Sequence, residues 1–401
     1  MNRGFALFCG VLSLSTSAWG AATVKPAPPP PPYAGVYQPQ GIDEIGMWRE
    51  DDESERSLTN SAMVIHDDAL SGYVKSVLCR AVGQDRCNAT RVYILREPIW
   101  NASMSPNGTL RVFSGILLRM RSEAELAAVL GHEFGHFEQR HTLADFKAHR
   151  RGTDLLQWAS VLAAMSNSPN TRRSFDDLRL SVYGGFANFS RNQEREADLV
   201  GIGYLNDSSL RPQAASRIWR NLIAETEASA LSRGLNKPRF DKVAFFASHP
   251  PEGERAEYLG ALADPEADVR DEGADRYKQA LAKWLPVFLD DQIKLNDFGG
   301  SEYLINMLAN DGWTASLWQA RGDLYRARGA PRDLVNAAEF YSKAVVLEPS
   351  LAEAYRGLGL SLIKTGSSAE GRTALQRYLQ LKPTASDAAM IGMTIASVGG
   401  N

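Results

Sequence analysis

Cysteine and histidine are scarce in this chain: three of the first and six of the second among 401 residues. Three cysteines leave room for one intrachain bridge at most. Six histidines mean that any metal site must draw on a short, enumerable set: His66, His132, His136, His141, His149 and His249. No block of Lys and Arg occurs, and the formal net charge is −3. Nothing therefore favours a nucleic acid or an anionic membrane surface as partner. No apolar run reaches the roughly 18–20 residues that cross a bilayer, so the mature chain is expected to have no transmembrane helix. The composition is otherwise that of a globular protein, and the length allows two or three domains.

What is present starts at Gly131-His132-Glu133-Phe134-Gly135-His136, an H-E-x-x-H pattern. Ser122 with Glu125 three residues later reads as a capping box, and Leu126, Val129 and Leu130 repeat at helical spacing. On a helix each residue turns about 100°, so His132 and His136 project from one face. Two imidazoles so placed can hold one Zn²⁺, with Glu133 beside them in reach of a water. Gly131 and Gly135 are poor helix formers; small residues there admit a close neighbour. The alternative is a pair of surface histidines with an acidic neighbour.

A third ligand must come from elsewhere. An H-E-x-x-H-x-x-G-x-x-H extension fails, because Gln139 and Thr142 occupy its later positions and His141 is one residue off. Glu194-Arg195-Glu196-Ala197-Asp198 supplies a carboxylate on a later helix, with Ser190 and Gln193 resembling its cap. Glu194 and Asp198 share a face, while Glu196 points away by about 200°. Glu194 is assigned as third ligand. Asp198 is assigned to the far ring nitrogen of a ligand histidine, where it fixes the tautomer.

These stretches together resemble the M48 peptidase family, and within it the soluble periplasmic branch that carries C-terminal tetratricopeptide repeats. The resemblance covers nearly everything after the leader. It implies a mainly α, α+β gluzincin-type domain with a small sheet, followed by a helical repeat domain. It implies His132, His136 and Glu194 as zinc ligands and Glu133 as catalytic acid and base. It also draws in Ser248-His249-Pro250-Pro251 and Arg255. The prolines place His249 on an extended loop. There it is a fourth zinc ligand that keeps the enzyme latent, a transition-state donor, or an ordinary surface histidine. Arg255 is expected to face the active site.

Along the chain, residues 1–22 read as a secretory signal peptide, with Arg3, an apolar core from Phe5 to Leu14, and small residues at Ala18, Gly20 and Ala22. Its removal takes Cys9 and leaves Cys79 and Cys87. An exported compartment permits their bridge, with two free thiols as the alternative. Residues 23–41 are proline-rich and read as a stiff spacer without core-forming pattern. Residues 42–265 are assigned to the peptidase domain and 270–401 to the repeats. Residues 58–82 read as helical, Val92 to Leu95 as a strand, and Asn101 to Phe113 as a hairpin turning at Pro106-Asn107-Gly108. By resemblance, Asn101, Ala102, Ser103 and Met104 form a substrate-binding edge strand. Residues 152–165 and 174–189 read as helical, and the 150–190 region as a lid or wall that gates the cleft, with Gly184-Gly185 as hinge. Residues 211–230 read as an amphipathic helix.

A helix pair is expected over 275–311. Trp318, Gly322, Tyr325, Ala344 and Pro349, then Tyr355, Leu358, Gly359, Gly371, Tyr378 and Pro383, fall at the spacing of a roughly 34-residue tetratricopeptide repeat. A capping helix follows over 385–397. The reading is a periplasmic zinc endopeptidase acting on misassembled envelope proteins, its repeats engaging clients or the outer-membrane assembly machinery. The alternative is a chaperone or assembly adaptor whose zinc site is largely latent.

Overall fold

A computed structural model describes residues 30–35, 37–165, 178, 190–240 and 251–398. The leader, His249, and the Gly184-Gly185 hinge lie outside the described residues. The fold is mainly helical with one small sheet. Helix α1 (Gly41–Thr59) precedes α2 (Asp68–Val82) and the short α3 (Gln84–Cys87). The continuous helix expected over 58–82 is therefore broken. Asp67 caps α2 by accepting from the backbone N–H groups of Ala69 and Leu70. Just before it the chain runs extended, and Ile65 N–H donates to the Ile94 carbonyl at 2.8 Å. Cys79 and Cys87 are joined as a disulfide that ties the last turn of α2 to the end of α3.

Three strands follow: β1 (Arg91–Leu95), β2 (Ala102–Met104) and β3 (Thr109–Phe113), in the order β1-β3-β2. β2 and β3 form the antiparallel hairpin, with Ser103 opposite Arg111. β1 pairs with β3 in parallel. Among the described residues one side of β2 carries no strand, so the hairpin leaves it as the sheet's edge.

The next helices are α4 (Ser114–Arg119), α5 (Glu123–Glu138) and α6 (His141–Met165). Sequence periodicity placed the start of the last one near residue 152. It begins instead immediately after α5, at a turn where Arg140 adopts a left-handed φ of 56°. Helix α5 is the centre of the molecule, with Leu126, Leu130 and Phe134 fully buried. Ser122 accepts from Glu125 N–H at 3.1 Å, and the Glu125 carboxylate reaches back to Arg121 N–H at 2.7 Å. Two buried acids thus sit at the positive end of the helix dipole. Both are paired: Glu123 with Arg80 and Arg276, and Glu125 with Arg217.

Helix α7, described over residues 190–207, crosses α5. Helices α8 (Ala214–Ser232) and α9 (Glu252–Leu262) complete the wall around it. Tyr33 and Tyr37, assigned to a featureless spacer, belong to this packing instead. Tyr33 lies 5.8 Å from Phe134, ring to ring, and Tyr37 donates to Glu44. Their apolar rings give this part of the proline-rich stretch a surface to bury, which the prolines alone would not.

Where one helix pair was expected after residue 271, three short helices occur: α10 (Ala274–Leu281), α11 (Leu285–Ile293) and α12 (Phe298–Leu308). Pro286 in the first turn of α11 and Asp297 as cap of α12 divide the stretch. Two helix pairs follow, α13 (Ala315–Arg328) with α14 (Asp333–Leu347) and α15 (Ala352–Lys364) with α16 (Ser368–Leu381), then α17 (Ala388–Val398). The main buried core runs unbroken from α2 through α13. Among the described residues, no helix is long and apolar enough to cross a membrane.

Tyr341 of α14 wedges between α13 and α15. Its hydroxyl donates to Asp323 at 2.6 Å. A Cβ on Gly357 would stand 2.3 Å from the Tyr341 ring, and one on Gly322 2.7 Å. Gly357→Ala is therefore expected to destabilise the protein by about 1–3 kcal/mol through overpacking. A lowered urea midpoint would show this; an unchanged midpoint would mean that Tyr341 has room to move.

Candidate metal centre

The site is made where α5 and α7 touch almost backbone to backbone. A Cβ on Gly135 would lie 3.1 Å from the Ala197 carbonyl oxygen, and one on Gly201 would lie 3.0 Å from the backbone nitrogen of His132. Larger residues would part the helices. At this separation the faces carrying His132, His136 and Glu194 meet. His132 Nε2 and His136 Nε2 stand 3.1 Å apart. Glu194 places Oε2 3.6 Å from the first and Oε1 3.5 Å from the second. Among the described residues this is the one group of three potential ligands.

The donor set fits a divalent cation such as zinc. Bonds of 2.0–2.1 Å at tetrahedral angles put ligand atoms about 3.3 Å apart, close to the three separations found. The neighbouring hydrogen bonds point the same way. Asp198 Oδ1 lies 2.8 Å from His132 Nδ1, so the ring proton sits there and Nε2 is left bare. Two bare nitrogens and a carboxylate converging on one point repel each other unless a positive charge joins them.

Asp198 is itself held from three sides. Arg255 donates through Nε at 2.8 Å and through Nη2 at 2.5 Å, and Tyr258 donates its hydroxyl. Arg255 Nη1 faces Glu194 Oε2 at 3.4 Å, and the guanidinium lies 3.8 Å from the centre of the Trp219 ring. Arg255 lines the cleft, as expected of a residue facing the site, but each of its three nitrogens is directed at a carboxylate. Burial alone would raise the Asp198 pKa; hydrogen bonding and charge from His132 and Arg255 reverse this and hold it well below the usual range. For His132, burial opposes protonation and Asp198 outweighs it, a net upward shift. His136 lacks such an acid, and burial and the His132 charge push it down to about 3. Burial pushes Glu133 up to about 7, with Glu194 adding to the rise.

A cleft of about 530 Å³ opens over the cluster, lined by Glu133, by Asn101 to Met104, and by Trp100 and Trp219. The edge of β2 thus borders the same space as the three ligand atoms. Two sequence readings change here. Ser190 is already helical, and Gln193 donates to the His141 carbonyl at 3.0 Å, so the pair does not cap α7. His141, set aside on spacing, stands against His136 with Nδ1 to Nδ1 at 2.9 Å, and Glu196 is its second partner. The left-handed turn at Arg140 brings it there, and helical periodicity carries no signal of such a turn. Tyr258 was also missed, although it follows Arg255 at i,i+3 on one helix face.

Fold and site together define a metallopeptidase domain of the H-E-x-x-H type with a glutamate as third candidate ligand. The model of Peptidase family M48 matches residues 68–263. Over 209 residues the chain is 30% identical to the mitochondrial metalloendopeptidase OMA1 of Schizosaccharomyces pombe, covering 52% of this chain and 57% of that one. It is 26% identical over 181 residues to the beta-barrel assembly-enhancing protease of Escherichia coli, covering 44% and 37%. It is 30% identical over 159 residues to the metalloprotease YcaL of Escherichia coli, covering 40% and 56%. The chain thus spans 37% to 57% of the length of these curated relatives.

Gly201→Val should force α7 away from His132. The expected result is divalent-metal binding weakened about tenfold or more, with overpacking costing about 1–3 kcal/mol of stability. Metal titration alongside urea unfolding separates the two effects. Unchanged affinity would show that the close crossing does not set the ligand spacing.

Proposed function

We propose that the protein is a zinc-dependent endopeptidase of the periplasm that cleaves misfolded or misassembled envelope proteins. The observation that carries this reading is the meeting of His132, His136, Glu194 and Glu133 in one cleft bordered by a sheet edge. His132, His136 and Glu194 would hold the ion. Bound there, zinc supplies a Lewis acid and lowers the pKa of water from 15.7 towards roughly 7.

The remaining chemistry belongs to the chain. The edge formed by β2 and the preceding Asn101 pairs with an extended peptide through backbone hydrogen bonds and so accepts many sequences. Glu133, its pKa lifted to about 7 by burial, takes a proton from the attacking water and returns it to the leaving amine. Asp198 keeps the His132 proton on Nδ1, and Arg255 and Tyr258 hold Asp198 in place.

The periplasmic setting is supported by the signal-peptide pattern of residues 1–22 and by the Cys79–Cys87 bridge, which an oxidising compartment preserves. The paired helices after residue 314 act as tetratricopeptide repeats that bind clients or outer-membrane assembly machinery. Similarity to the beta-barrel assembly-enhancing protease supports this choice of client.

The test is degradation of an unfolded protein by the zinc-loaded chain beside Glu133→Gln. Loss of the acid and base should slow turnover about 10²–10⁴-fold with metal content unchanged. Equal turnover by both forms, or none by either, would overturn the endopeptidase reading.

A further inference from the structure

The two histidines of the candidate metal centre have different neighbours. Behind His132 stands a carboxylate, Asp198. Behind His136 stands another imidazole, His141, with Nδ1 facing Nδ1 at 2.9 Å. The far nitrogen of His141, Nε2, lies 3.2 Å from Glu196 Oε2. We propose that His141 and Glu196 form a positioning relay that fixes the tautomer and the aim of His136, a role that rests on the metal-centre reading above.

The hydrogen bonds admit one consistent arrangement. His136 turns Nε2 towards His132 and Glu194, so that nitrogen stays bare for a cation and the ring proton sits on Nδ1. This proton is donated to His141 Nδ1, which must then be an acceptor. The proton of His141 is therefore on Nε2, where Glu196 accepts it. One carboxylate thus orients His136 through an intervening ring, as Asp198 orients His132 directly.

The surroundings hold His141 for this task. It is 5% exposed and is the first residue of α6. Its carbonyl is tied to Gln193 of α7, the helix that carries both Glu194 and Glu196. The left-handed turn at Arg140 brings it back against the end of α5, and Arg140 donates to the Pro30 carbonyl at 2.6 Å. Glu196 is half exposed, its side chain at 55%. It can therefore be changed without disturbing the core.

The test is zinc affinity, measured by chelator competition, with far-UV circular dichroism and urea unfolding of the metal-free forms as folding controls. His141→Phe keeps a planar ring but cannot accept the proton; it should bind zinc about 10–100-fold more weakly. His141→Asn places an amide oxygen near the Nδ1 position and should recover most of the loss. Glu196→Ala should weaken binding severalfold alone and add nothing to His141→Phe. The relay is overturned if His141→Phe binds within twofold of wild type, or if a folded His141→Asn is as weak as His141→Phe. Full additivity of Glu196→Ala with His141→Phe would also overturn it. If His141→Phe does not fold, a Glu196→Ala protein with wild-type affinity is enough to reject it. Absence of zinc binding by the wild type would instead reject the metal centre and the relay together.

Discussion

Everything at the site depends on how closely two helices approach. Gly135 and Gly201 remove the side chains that would keep α5 and α7 apart, and the backbone of Ala197 lies against Gly135. The distance between the helices sets the distance between His132 or His136 on one and Glu194 on the other. Glycine inside a helix costs about 0.5–1 kcal/mol relative to alanine. The fold accepts that cost where it brings three candidate ligand atoms within a tetrahedral span. Arg217, Arg80 and Arg276 then hold the far end of α5 by pairing with its buried N-terminal acids, so the helix is fixed at both ends.

The electrostatics of the cleft follow from the same geometry. Burial raises the cost of every charge, and the chain answers with specific partners. Asp198 stays ionised because Arg255, Tyr258 and His132 surround it. Glu133 has no such partner among the described residues, and burial pushes it towards neutrality. Neighbouring carboxylates in one cleft are thereby set apart, one held as an anion and one raised to about 7.

Much of this was legible in the sequence, because the relevant residues lie within regular elements. The spacing of His132 and His136 and that of Glu194 and Asp198 are both i,i+4, and helical periodicity translates this directly into shared faces. The hairpin was marked by Pro106-Asn107-Gly108. What escaped depends on breaks and tertiary contacts. The cap at Asp67 splits a run that periodicity reads as continuous. The turn at Arg140 starts α6 eleven residues early and delivers His141 to His136. Tyr33 and Tyr37 pack because a surface waits for them, and a proline-rich composition gives no sign of it.

The unbroken core from α2 through α13 has a consequence for how the molecule unfolds. Apolar residues of α11, α12 and α13 share buried contacts with the helices around the cleft, so these parts gain and lose their packing together. From α14 onward the buried residues fall into two small clusters of their own, one around Tyr341 and one around Tyr378. Local opening draws first on parts with few buried apolar contacts. The C-terminal pairs can thus fray and re-form while the part around the cleft keeps its cooperativity, which puts the boundary of independent melting at α13 and not at the end of the peptidase match.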